Sequence, residues 1–179
     1  KSMEEARKKS KEINDRILDR LKKVLEESRK INKDIKDTVE RLRERSEDIN
    51  RRIKELVDSG RDKKDLRRLI EDDNTKVRKA LEDLRELIRR DNERVKKVLR
   101  ELRELIKRDT EEVEDVLRRG DLSEEIIKEI RKLNEETRKE IERIAREAEE
   151  LNKRTADKIE TIIREIEKLN KKLKDDIEK

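Results

Sequence analysis

Ser10, Ser28 and Ser46 carry hydroxyl groups at an interval of eighteen residues, and Asn14, Asn32 and Asn50 keep the same interval four positions further on. A hydroxyl becomes a nucleophile only when a neighbouring base takes its proton, and the chain contains no histidine and no cysteine. Amides and hydroxyls without such a base retain one chemistry, the donation and acceptance of hydrogen bonds. The interval recurs throughout the chain. Asp73-Asn74 returns as Asp91-Asn92 and, with one exchange, as Asp109-Thr110. Leu133-Asn134 returns as Leu151-Asn152 and Leu169-Asn170, followed three positions later by Thr137, Thr155 and Leu173.

An α-helix advances about 100° per residue, so eighteen residues make about five whole turns and return each repeat to one face of a straight helix. The apolar residues keep the same face. In the first third they run Ile13, Ile17, Leu21, Val24, then Ile31, Ile35, Val39, Leu42, then Ile49, Ile53, Leu56, Val57, in steps of three and four. The second stripe starts Leu66, Leu69, Ile70, Val77, Ala80, Leu81 and repeats, and the third includes Ile126, Ile130, Leu133, Ile141, Ile144, Ala148 and Leu151. The asparagines fall inside these stripes and point inward.

Only two glycines interrupt the pattern, Gly60 and Gly120. Each stands where a left-handed residue ends a helix without a Cβ clash. Ser2 with Glu5 forms a capping-box pattern, Asp62 and Ser123 are N-caps, and Leu122 is placed to staple against Ile127. The chain therefore reads as all-α: a single antiparallel up-down-up three-helix bundle over 1–179, long, nearly straight and coiled-coil-like, with an internal eighteen-residue repeat. Helix 1 covers about 2–59, helix 2 about 62–118 and helix 3 about 123–178, each about 85 Å long by the helical rise.

Short loops make neighbouring helices antiparallel. Ser46 and Asn74 are then equidistant from Gly60, as are Ser28 with Asn92 and Ser10 with Thr110. The third helix parallels the first with an offset that sets Asn134, Asn152 and Asn170 beside Asn14, Asn32 and Asn50. Three polar layers follow, about 27 Å apart. The lowest holds Ser10, Asn14, Thr110, Asn134 and Thr137; the middle Ser28, Asn32, Asn92, Asn152 and Thr155; the top Ser46, Asn50, Asn74 and Asn170. Asp73, Asp91 and Asp109 are placed at the edges of the layers. A buried amide without partners costs about 1–3 kcal/mol, so the groups of a layer must bond to one another. A helix slid by one residue would bury unmatched polar groups, and the layers thereby select a register.

Repeated Ile-Asn, Asp-Asn and Leu-Asn units, idealised caps, two minimal loops and surfaces of Glu, Lys and Arg resemble de novo designed, untwisted helical bundles with modular buried hydrogen-bond networks. The resemblance covers the whole chain, with Thr110 in place of an asparagine and Leu173 in place of a threonine as departures. It implies a designed rigid structural scaffold, with no natural biochemical function, organism or compartment and cytoplasmic residence when expressed in a host.

Composition points the same way. Charged residues make up 59% of the chain and aromatics none, so the aromatic area that fills ordinary enzyme cores is missing. The 55 basic and 50 acidic residues alternate without a block of one sign, which reads as a solvated surface rather than a nucleic-acid interface. No apolar run exceeds two residues, which excludes a membrane span. Carboxylate runs such as Glu71-Asp72-Asp73 spread around a helix and lack metal-site spacing. No enzyme activity, cofactor, metal or required partner is expected. Arg119-Gly120-Asp121 spells a tripeptide that adhesion receptors recognise, but helix-ending rules demand the same residues there. The alternative function is self-association, as a homo-oligomer or a building block of fibres or arrays, through an apolar helix face or the bundle ends.

Overall fold

The computed structural model describes residues 2–120 and 123–179. Lys1, Asp121, Leu122 and the side chain of Ser2 lie outside the described residues. So do the Ser2 capping box, the Leu122 staple and the aspartate of the Arg119-Gly120-Asp121 loop. Three helices account for nearly all of the rest: α1 (Ser2–Asp58), α2 (Lys63–Arg118) and α3 (Glu124–Glu178). The fold is a three-helix bundle, and among the described residues there is no strand.

Local chemistry explains where the helices stop. Gly60 has φ of 78°, its N–H bonds the Val57 carbonyl at 3.1 Å, and the Arg61 N–H bonds the Leu56 carbonyl at 3.1 Å. That pair of bonds is the Schellman arrangement, which satisfies carbonyls left over at a helix end. Asp62 opens α2 by accepting from the Lys64 N–H at 3.2 Å, and Ser123 opens α3 by accepting from the Ile126 N–H at 3.4 Å. Gly120 repeats the left-handed stop with φ of 71° and a bond from its N–H to the Leu117 carbonyl.

The chain divides into two compact units, each made of one segment from every helix. Unit 1 comprises 1–29 and 91–151, and unit 2 comprises 30–90 and 152–179. In unit 1 the larger core cluster joins Ile17, Leu21 and Leu25 of α1 to Leu99, Leu102 and Ile106 of α2 and Ile141 and Ile144 of α3. A smaller one gathers Val113 with Ile126, Ile127 and Ile130. Unit 2 has the matching pair: Ile35 and Val39 with Val77, Leu81, Leu84 and Ile159, and Ile53 with Leu66, Ile70, Leu173 and Ile177. Burying each such aliphatic side chain contributes roughly 1.5–3 kcal/mol, which is where the stability of chains without aromatics must come from. Among the described residues no helix is long and apolar enough to cross a membrane.

Candidate functional site

In each unit a polar network lies between the two apolar clusters. In unit 1, Asn14 Nδ2 donates to Asn134 Oδ1 at 2.8 Å and to the Ser10 carbonyl of its own helix at 2.8 Å. Asn134 Nδ2 in turn donates to Asp109 Oδ2 at 2.9 Å and to Thr110 Oγ1 at 3.3 Å. Ser10 Oγ closes the group by donating to the same Asp109 oxygen at 2.9 Å. All three helices are thus tied through one carboxylate.

Unit 2 repeats the geometry. Asn50 Nδ2 donates to Asn170 Oδ1 at 2.9 Å and to the Ser46 carbonyl at 2.8 Å. Asn170 Nδ2 donates to Asp73 Oδ2 and to Asn74 Oδ1, both at 2.8 Å, and Ser46 Oγ reaches Asp73 Oδ2 at 2.9 Å. The residues expected in a middle layer divide between the units. Ser28, in unit 1, donates to Asp91 Oδ2 at 2.8 Å, with Asn92 partly buried beside it in sequence. Asn32, in unit 2, donates to Asn152 Oδ1 at 2.7 Å. Thr137 is buried in unit 1 and Thr155 in unit 2, and Thr155 Oγ1 has no hydrogen-bond partner among the described residues.

Asp73, Asp91 and Asp109 are not edge groups: they are 2, 2 and 3% exposed, and each is the acceptor on which its serine converges. Asn74, Asn92 and Thr110, by contrast, are only partly buried. The physical reason lies in the seam of α2. Asp73 follows Leu66 by seven and Ile70 by three and precedes Val77 by four, so it continues the apolar row that faces the other helices, and Asn74 is rotated about 100° away. That heptad spacing was the available signal.

Three buried carboxylates need compensation, because an unpaired buried charge is strongly unfavourable. Hydrogen bonds supply part of it. Asp73 also receives Arg45 at 2.9 Å on its second oxygen, and Asp91 receives Arg94 at 2.7 Å. Arg94 bridges outward to Glu27 at 2.7 Å. Near Asp109 the corresponding cation is Lys9, which bonds Glu112 at 2.8 Å. Its ammonium is held above the ordinary lysine value, first by that hydrogen bond and the Glu112 charge and then, against burial, by the charge of Asp109.

Ser10 and Ser46 each donate their hydroxyl to a carboxylate oxygen that also accepts from an asparagine amide. Among the described residues no three histidine, cysteine, aspartate or glutamate side chains are grouped so as to hold a metal ion. The asparagine pairs join α1 to α3 at matched levels. Asn14 pairs with Asn134, Asn32 with Asn152 and Asn50 with Asn170, each pair separated by the same 120 positions.

The fold has a solved counterpart. A structure described as a computationally designed three helix bundle matches the chain with a TM-score of 0.54 at 20% sequence identity, covering 98% of this chain and 90% of that one. No protein family and no curated protein sequence matches the chain. This chain therefore resembles a designed three-helix bundle in fold and carries within it buried networks of asparagine, serine, threonine and aspartate.

Proposed function

We propose that the protein is a designed structural scaffold with no enzymatic role, requiring no cofactor, nucleic acid, membrane or other partner. The buried networks hold its helices in register. The observation that carries this reading is the recurrence of one bonded constellation in two separate units: Ser10, Asn14, Asp109 and Asn134 in one, and Ser46, Asn50, Asp73 and Asn170 in the other. Repetition of a network to the atom suits a part whose task is to set geometry. Light scattering on a size-exclusion column tests the reading: a self-contained scaffold elutes as a single species of mass near 21.8 kDa.

Self-assembly is the second reading, and one observation favours it. Leu69 and Leu87, one repeat apart on α2 in unit 2, are 43 and 44% exposed. A discrete multiple of the monomer mass that returns to the monomer on Leu69→Lys with Leu87→Lys would establish this reading over the first.

A further inference from the structure

The networks repeat, and that repetition leaves an ambiguity. An α1 helix displaced by eighteen residues would again bring asparagine to asparagine and serine to aspartate. The neighbouring contacts do not repeat in the same way.

The first departure is in the core between α1 and α3. The asparagine pairs set the level of Leu25 at Ala145 and the level of Arg43 at Ile163. Leu25 is buried in the unit 1 core with Ala145 packed against that cluster, and Ala148 is fully buried one turn on. One repeat later the sizes are exchanged. Ile163 and Ile166 are buried in the unit 2 core, while Arg43 turns outward toward Glu40, Glu47 and Glu165. A large residue on α1 thus meets a small one on α3, and a large one on α3 meets a residue that vacates the core. Displacement by one repeat would set Leu25 level with Ile163, or leave Arg43 over the small Ala145; overpacking and underpacking are both unfavourable.

The second departure is in the rim charges of unit 1. Lys9 of α1 bonds Glu112 of α2 at 2.8 Å, and exactly eighteen residues along, Glu27 of α1 meets Arg94 of α2 at 2.7 Å with the signs reversed. Displacement in one direction sets Lys9 against Arg94, and in the other sets Glu27 against Glu112. Between α2 and α3 the same reversal recurs: Glu114 accepts both bonds of Arg131, at 2.8 and 2.7 Å, whereas the positions one repeat inward are Lys96 and Glu149.

We propose that these exchanges form a register code, which makes each segment of α1 specific for its own level on α2 and α3 and rejects the equivalent level one repeat away in a second copy of the chain. The inference rests on the reading of the networks as register elements and adds what they lack, the ability to tell one repeat from the next. Sterics supply the core half and opposed charges the rim half, the usual means of discriminating between otherwise similar helix pairings.

Paired substitutions in the full chain test it, read as thermal unfolding midpoints at a fixed urea concentration. Ala145→Ile lowers the midpoint because Leu25 already fills its level, and Leu25→Arg lowers it by removing core cover. The two together, which copy the Arg43 and Ile163 combination, regain most of the loss. Additive losses overturn the core half. Should Ala145→Ile fail to fold, the reciprocal pair in unit 2, Arg43→Leu with Ile163→Ala, gives the same reading: the double variant must be more stable than Ile163→Ala alone. For the rim, Lys9→Glu and Glu112→Lys each lower the midpoint and together restore it, with a coupling that shrinks as sodium chloride is added. A coupling that is absent or indifferent to salt overturns the rim half. The scaffold reading fails by a different result, a parent chain that is not a monomer.

Discussion

Asn134 is the hub of the unit 1 network, and its replacement by leucine separates a working network from an ornamental one. The side chain accepts one bond from Asn14 and donates to Asp109 and Thr110. In Asn134→Leu the Asn14 amide loses one of its two acceptors in a buried setting, at a cost of about 1–3 kcal/mol. Asp109 loses one of the two donors on its Oδ2, a bond to a charged group of the kind that contributes roughly 1.5–3 kcal/mol. Thr110 is spared, because its hydroxyl keeps its bond to the Ile106 carbonyl at 2.8 Å. Added apolar burial from leucine returns about 1.5–3 kcal/mol. The net loss is about 2 kcal/mol. With a guanidinium m-value of roughly 5 kcal/mol/M for a chain of this size, the unfolding midpoint falls by about 0.4 M. Replacing the whole set instead, Ser10→Ala with Asn14→Leu, Asp109→Leu and Asn134→Leu, leaves no orphaned group and brings the midpoint back to or above that of the parent. Circular dichroism in guanidinium measures both. A single variant at least as stable as the parent would refute the reasoning, since it would mean that the buried amides and carboxylate are not energetically coupled.

Thr110→Asn, which copies the shorter 2.8 Å acceptor that Asn74 offers in unit 2, stabilises unit 1 by about 0.5–1 kcal/mol in the same guanidinium assay. Gly60→Ala lowers stability by about 1–2 kcal/mol through its φ of 78° alone, because nothing lies within 4 Å of an added Cβ; Gly60→Asn, which tolerates that region, costs less in thermal unfolding. The Glu86 carboxyl is drawn down to about 2, first by its hydrogen bond from Arg89, with further pull from the Arg89 and Arg90 charges. A depressed carboxyl stabilises the folded state above its ordinary value of 4.5 and loses that contribution as the pH falls toward 2, so a carbon-detected NMR titration shows Glu86 protonating well below 4.5, and Arg89→Gln moves it upward.

Much of this architecture is legible in the residues, for reasons that differ between its parts. Helix ends are local: a glycine in the left-handed region and an aspartate or serine before a helix answer to backbone chemistry that needs no partner, as Gly60, Asp62 and Ser123 illustrate. The levels are nearly as accessible, because an eighteen-residue interval and two short loops leave little freedom in how Asn14 and Asn134 are matched. Rotation of α2 is different. Asp73 and Asn74 are adjacent in sequence and flank the same seam, so recurrence alone does not say which turns inward. Residue type favours the neutral amide, since burying a carboxylate is costly. The structure buries the carboxylate nonetheless, and the cost is met by donors that only the assembled helices provide: Ser46 and Arg45 from α1 and Asn170 from α3. The cations are hidden for another reason. Arg45 and Arg94 are two among 55 basic residues, and nothing in their spacing marks them until the aspartates they serve are located.

The inward carboxylate also explains how the networks keep one orientation. An amide presents a donor on one side and an acceptor on the other, so a cluster built from asparagines alone could be satisfied with every amide reversed. A carboxylate only accepts. Placed at one end of the chain of bonds, Asp109 obliges Asn134 to turn its nitrogen toward α2 and its oxygen toward α1, and that oxygen obliges Asn14 to turn its own nitrogen toward α3. Ser10 must likewise donate to Asp109, so α1 is held by a hydroxyl and an amide whose directions are both dictated from α2. The same sequence of constraints runs from Asp73 through Asn170 to Asn50. Its consequence is a cost at the far end: Asn14 Oδ1 and Asn50 Oδ1 are buried without a donor among the described residues. Replacing aspartate by asparagine would relieve the buried charge yet remove the one group that cannot reverse. Asp109→Asn should therefore broaden the Asn14 and Asn134 side-chain amide resonances into more than one set, whereas a single sharp set for each would show that packing, and not the carboxylate, fixes their direction.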